Sequence, residues 1–148
     1  MTDPVEILLV EDSDADAELT LRVLRQNKLA NSIHRVLDGE EALDFLFGRA
    51  AYTHRAGYPL PRVIMLDLKL PKVDGIEVLR KVRESERTSH IPIVVMTSSR
   101  EERDLVESYR LGANSYVQKP VDFDEFRDAI KQVGYYWLVI NEPPPAAR

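Results

Sequence analysis

Apolar residues fall along the chain in two rhythms. Short runs rich in β-branched residues recur at 5–10 (VEILLV), 32–37 (SIHRVL), 63–66 (VIML), 93–96 (IVVM) and 115–118 (SYVQ), the length and composition of strands. Between them the apolar positions lie three and four apart, most plainly at Phe123, Phe126, Ile130, Val133 and Trp137, which is the spacing of one helix face. Strand and helix therefore alternate five times. Helix starts are marked at Asp38 with Glu41, Ser99 with Glu102 and Asp122 with Glu125, each pairing a capping oxygen with a carboxylate three residues on that can reach back to free amides.

A run such as IVVM, apolar throughout, suits a strand covered on both faces, and the alternation implies right-handed crossovers into a parallel sheet. The expected class is α/β, a doubly wound, flavodoxin-like (βα)5 fold with a five-stranded parallel sheet in the order 2-1-3-4-5. Two segments exceed what such a fold needs: GRAAYTHRAGYPLP at 48–61 is a long connection, and NEPPPAAR at the end is proline-rich. We expect one domain over residues 1–140 with a proline-rich tail over 141–148.

Composition narrows the function classes. A chain of 148 residues, 44% apolar, can bury one sizeable core. Its formal charge of −5, with no basic stripe, argues against nucleic acid as a partner. The absence of cysteine excludes disulfides, thiolate metal sites and cysteine nucleophiles. The stretch MTDPVEILLVED lacks a basic n-region and no segment approaches a membrane span, so a cytoplasmic, soluble protein without a membrane partner is expected. His34, His54 and His90 have no helical pairing that would suggest a transition-metal site, and no glycine-rich phosphate loop is present.

In an open parallel sheet the ligand crevice lies at the carboxyl ends of the strands. Glu11 and Asp12 follow the first strand, Asp67 ends the third, Thr97 follows the fourth, and Lys119 follows the fifth, just before Pro120. In the order 2-1-3-4-5 the first and third strands are neighbours about 5 Å apart, which brings three carboxylates within reach of one ion. Their mutual repulsion calls for a hard cation, and Mg²⁺ suits a few carboxylates, retained waters and a phosphate oxygen.

Four stretches, LLVEDS at 8–13, MLDLKLPKVDG at 65–75, VVMTSS at 94–99 and GANSYVQKP at 112–120, resemble the receiver domain of two-component response regulators over about residues 4–138. The resemblance implies that Asp67 is the phosphoacceptor, served by a histidine kinase, and that Glu11 and Asp12 hold Mg²⁺ together with Asp67 and the Lys69 backbone carbonyl. It also implies that Thr97 is the hydroxyl switch residue, Tyr116 the aromatic that moves with it, and Lys119 the ammonium on the phosphoryl oxygens, with a cis bond before Pro120. Such a protein catalyses its own phosphoryl transfer and autodephosphorylation and is otherwise a signalling protein rather than an enzyme.

Tyr135, Tyr136, Trp137, Leu138, Val139 and Ile140 are six consecutive apolar or aromatic residues, more than one helical face can bury. They predict a homodimer through the helix four, strand five and helix five face and the C-terminal extension, with Phe126, Tyr136, Trp137 and Ile140 at the interface. A fold-back of the run onto its own domain is the alternative. The long 48–61 connection and the aromatic extension are similar to single-domain regulators that serve phytochrome-type kinases, implying a bacteriophytochrome donor and no DNA-binding output domain. Rival functions fit less well. A flavin phosphate would be repelled by EDSDAD, a phosphohydrolase would want an aspartate where Lys69 stands, and a phosphorylation-independent scaffold would not need every site residue present.

Overall fold

The structure is a computed structural model and describes residues 5–30 and 32–142. Its five strands are β1 (Ile7–Val10), β2 (Ile33–Val36), β3 (Val63–Leu66), β4 (Ile93–Thr97) and β5 (Ser115–Gln118), and its five helices are α1 (Asp14–Gln26), α2 (Gly39–Phe47), α3 (Gly75–Glu84), α4 (Glu102–Arg110) and α5 (Phe123–Tyr135). All pairings are parallel and the order is β2-β1-β3-β4-β5, as expected. The proline-rich tail lies outside the described residues except for 141 and 142.

Alternation along the central strands divides the core into two layers. Leu8, Val10, Ile64, Leu66, Ile93 and Val95 face α2 and α3, where Leu46, Val78, Leu79 and Val82 meet them. Ile7, Leu9, Val63, Met65, Val94 and Met96 face α1 and α5, where Val23, Leu24 and Ile130 close the layer. Burying such side chains contributes about 1.5–3 kcal/mol each, so the sheet centre is the rigid part. α4 is the exception: only Ser108 of its residues is buried, while Leu105, Val106 and Tyr109 are exposed.

Two of the three expected caps form. Asp38 accepts from the Glu41 amide at 2.8 Å while Glu41 accepts from the Leu37 amide at 2.9 Å, and Asp122 accepts from the Glu125 amide at 3.0 Å. Ser99 does not cap: α4 begins at Glu102 behind Glu101, and the Ser99 oxygen accepts from the Glu101 amide at 3.3 Å while its hydroxyl donates to the Asp104 carboxylate. Ser13 and Asp74 cap α1 and α3, which the sequence reading passed over. Gly75 opens α3 where a Cβ would stand 2.3 Å from the Asp67 carbonyl oxygen, so the turn after β3 closes against the strand only with glycine there.

The long connection is ordered. Gly48, left-handed at φ 64°, ends α2, and residues Ala50–Arg55 form a 3₁₀ helix. Tyr52 donates to Glu41 Oε2 at 2.7 Å and lies 2.9 Å from His34 Nε2, so His34 carries its proton on Nε2 and donates to the tyrosine oxygen. His34 stacks on Phe45 at 4.7 Å and the buried Arg55 covers the same ring at 4.2 Å, pinning the connection to β2 and α2.

α5 runs on into a π-helical turn, Tyr136–Ile140. Part of the six-residue apolar run folds back onto the domain and part is exposed. Leu138 is buried, its carbonyl accepts from Arg62, and the half-buried Trp137 donates Nε1–H to Ser115 Oγ at 3.2 Å. Tyr136 (47% exposed) and Ile140 (56%) face outward, with Tyr135 and Val139. Phe126, expected at an interface, belongs instead to the domain's own core, because its helical face points at the sheet.

Candidate functional site

Parallel register brings the ends of β1 and β3 level, Val10 opposite Leu66, so the residues that follow leave the sheet together. Glu11, Asp12 and Asp67 offer carboxylate oxygens that all lie within 4.8 Å of one another. Lys119 enters from the end of β5, its amide bonded to the Thr97 carbonyl at 2.8 Å. Its ammonium donates to Asp67 Oδ2 at 2.9 Å, to Asp16 Oδ2 at 2.9 Å and to Glu11 Oε1. The side chains of Lys119, Glu11 and Asp67 are only 7%, 6% and 7% exposed.

These charges depend on one another. Burial pushes the Glu11 carboxyl up to about 7, with the Asp67 charge adding to the rise, while the Lys119 ammonium opposes it. Burial works to lower Lys119, but its bonds to Glu11 and Asp16 and the charge of Asp67 overcome that and hold it above its usual value, a cation at any working pH. One ammonium therefore serves three carboxylates, which leaves the rim short of positive charge. The donor set is all hard oxygen and partly open at the exposed Asp12, as an octahedral divalent cation that keeps its waters requires.

Thr97, the last residue of β4, is fully buried, and its Oγ1 accepts from the Ser99 amide at 3.2 Å. The Lys69 amide donates to Asp67 Oδ1 at 3.2 Å. Tyr116, on β5, buries its hydroxyl, and that burial raises its pKa against the opposing pull of the nearby Ser99. The bond between Lys119 and Pro120, for which a cis geometry was implied, is trans, the isomer favoured by about 0.5–1 kcal/mol for X-Pro.

Sequence reasoning missed Asp16, the third ligand of the Lys119 ammonium. Its signal is present, since Asp16 follows the cap Ser13 by three residues and so projects from the first turn of α1 toward the rim. Asp104 was missed as well. Glu11, Asp12, Asp67 and Lys119 come together at the rim, with the Thr97 carbonyl on the Lys119 amide and the Lys69 amide on Asp67, while Tyr136, Trp137 and Ile140, expected at an interface, lie on the C-terminal extension.

A doubly wound sheet whose carboxyl-end rim holds this acidic set and a buried lysine defines a receiver, and the response regulator receiver domain family matches residues 7–131. The chain belongs to that family. It is 41% identical over 145 residues to the probable methanogenesis regulatory protein FilR2 of Methanothrix harundinacea, covering 98% of this chain and 91% of that one. It is also similar to the response regulator Rcp1 of Synechocystis, 36% identical over 97% of this chain and 95% of that one. The crystal structure of the Mn²⁺-bound form of Rcp1 superposes with a TM-score of 0.89 at 35% identity, over 96% of this chain and all of that one. The bacteriophytochrome response regulator RtBRR is 51% identical, with a TM-score of 0.75, over 97% of this chain and 86% of that one. Among the described residues, no helix is long and apolar enough to cross a membrane.

Proposed function

We propose that Asp67 accepts a phosphoryl group from a histidine kinase, and that the protein signals through the resulting change on its α4, β5 and α5 surface. The observation that carries this reading is the Lys119 ammonium on Asp67 Oδ2, in a rim of three carboxylates. An oxygen of the Asp67 carboxylate attacks the phosphorus of a phosphohistidine. The new O–P bond forms as the P–N bond breaks, and the imidazole leaves with the electron pair and regains a proton.

Glu11, Asp12 and Asp67, with the Lys69 carbonyl, are the residues to hold Mg²⁺, which when bound supplies neutralising charge to the phosphoryl oxygens. Lys119 is already in place to contact a phosphoryl oxygen, so its electrostatic contribution needs little reorganisation. The phosphoryl group, carrying about −1.5 to −2 in place of the single carboxylate charge and offering three acceptor oxygens, draws on the Thr97 hydroxyl, and Tyr116 moves into the space this vacates.

The likeness to RtBRR and Rcp1 supports a bacteriophytochrome-type kinase as donor. The outward Tyr135, Tyr136, Val139 and Ile140 support a homodimer through the C-terminal extension, adjoining the α4, β5 and α5 face. Intact-mass analysis after incubation with acetyl phosphate, with and without Mg²⁺, tests the chemistry. A Mg²⁺-dependent gain of one phosphoryl group, absent in Asp67→Asn, is expected; no gain under any Mg²⁺ condition refutes it.

A further inference from the structure

Asp12 is the exposed member of the carboxylate set, so the direction of its side chain depends on how its backbone is held. The hold comes from β2. The Glu11 amide donates to the Val36 carbonyl at 3.1 Å, and the Glu11 carbonyl accepts from Arg35 Nε at 2.9 Å. That carbonyl belongs to the peptide between Glu11 and Asp12, which is planar, so gripping its oxygen also sets the direction of the Asp12 amide. Within the loop the Ser13 amide donates to Glu11 Oε2 at 3.2 Å, which ties the Glu11 carboxylate to the start of α1.

Arg35 makes two contacts with one side chain. It pairs with Leu9 across the sheet and so shares the face that α1 covers, where its side chain is 22% exposed. Nη2 stands 2.9 Å from Asp14 Oδ1, in the first turn of α1, as an ion pair rather than an aligned hydrogen bond. The guanidinium thus spans the β1–α1 loop from Glu11 to Asp14, with Asp12 and Ser13 between. The Asp14 pair orients the guanidinium plane, and the Nε bond holds the peptide. A lysine ammonium in the same place is a point charge on a flexible stem and presents no such plane.

We infer that Arg35 is a positioning residue for the divalent cation: its guanidinium fork fixes the Glu11–Asp12 peptide and so aims the Asp12 carboxylate at the ion that Glu11 and Asp67 share. The inference rests on the Mg²⁺ site of the proposed function. Arg35 acts through the loop, and its charge works the other way, because one cation beside the rim repels a second. The two effects differ in sign. Through-space charge alone makes Mg²⁺ bind more tightly once Arg35 is neutralised, whereas positioning makes it bind more weakly.

The test is isothermal titration calorimetry of the unphosphorylated protein with Mg²⁺, beside the melting temperature of each variant in EDTA. Arg35→Met, which loses charge and fork together, and Arg35→Lys, which keeps the charge and loses the fork, are each expected to weaken Mg²⁺ binding about three- to tenfold. That lies at and below the lower end of what outer-shell partners of metal ligands contribute, because the contact is to backbone rather than to a ligating group. Ile130→Val, which trims a fully buried side chain of α5, is expected to lower the melting temperature and leave the affinity unchanged. Unchanged or tighter binding in Arg35→Met, full affinity in Arg35→Lys, or an equal loss in Ile130→Val overturns the inference. A wild-type protein that binds no Mg²⁺ overturns the metal site of the proposed function, and the inference with it.

Discussion

Lys119→Met removes the ammonium that three carboxylates share while keeping a chain of similar volume, so the cost is electrostatic rather than a cavity. Glu11 and Asp67, both nearly buried, then face each other with no cation between them. Removing one partner of a buried ion pair costs about 3–5 kcal/mol. Two features reduce that here: Asp16 keeps a third of its side chain in water, and Glu11, already pushed up to about 7, can take a proton. About 2–3 kcal/mol remains, which in a domain of this size lowers the melting temperature by roughly 4–12 °C. Thermal unfolding followed by circular dichroism in EDTA reads that loss. Mg²⁺ should stabilise the variant more than the wild type, because Lys119 no longer competes for Glu11 and Asp67 and stabilisation grows with the ion's affinity for the native state. A variant as stable as wild type in EDTA would show that the ammonium offsets no repulsion. Equal gains from Mg²⁺ in both proteins would show that lysine and ion do not share carboxylates.

Other consequences are open to measurement. Gly75→Ala puts a methyl 2.3 Å from the Asp67 carbonyl oxygen and 2.6 Å from Leu68 Cα, an overpacking that costs about 1–3 kcal/mol and moves the acceptor; both melting temperature and phosphoryl uptake should fall, and unchanged uptake would deny that α3 positions the site. Burial, with Arg55 beside it and against the pull of Glu41, holds His34 below its ordinary value of 6.5. The unfolded chain therefore takes that proton first, and stability from this residue is present above pH 6.5 and lost as pH falls below it. Glu11, raised to about 7, works the other way, so the comparison is between wild type and His34→Phe in urea titrations from pH 7.5 to 5.5; parallel curves refute the assignment. Val121 and Phe123 are exposed just beyond Lys119, beside the rim that the proposed kinase would have to reach. Phe123→Asp should slow transfer from a phosphorylated kinase about tenfold or more, the loss of a modest interface anchor, and leave uptake from acetyl phosphate unchanged; equal losses with both donors would place the fault elsewhere.

The layered sheet and the rim were legible because both follow from local rules. Runs such as VIML and IVVM allow little but a central strand, and parallel alternation then forces Glu11, Asp67, Thr97 and Lys119 to one edge. What sequence reading missed depends on competition between partners in space. Ser99 with Glu102 has the spacing of a cap, but its oxygen accepts from the nearer Glu101 amide while its O–H donates to Asp104, so the helix opens two residues later than the spacing suggests. Asp16 was overlooked because Ser13, Asp14 and Asp16 look alike as helix-start residues, and only the path of Lys119 from β5 selects among them. Phe126 shares a helical stripe with Trp137, yet eleven residues on, the helix has turned into a π-helical stretch, so one ring is core and the other sits at the domain edge.

The contrast between α3 and α4 decides which surface the proposed modification of Asp67 would reach. Val78, Leu79 and Val82 of α3 are fully buried, so shifting that helix means breaking close-packed contacts worth several kcal/mol. α4 has Ser108 inside and little else, and its first turn hangs on Asp104. On the proposed function, a phosphoryl group on Asp67 would draw on Thr97 and Lys119 through a few hydrogen bonds and ion pairs, too little to move α3 and enough to rebalance α4. The exposed Leu105, Val106 and Tyr109 ride on that helix. The free energy available at the rim therefore matches the element least anchored to the core, and the residues carried by that element are the ones a partner can read.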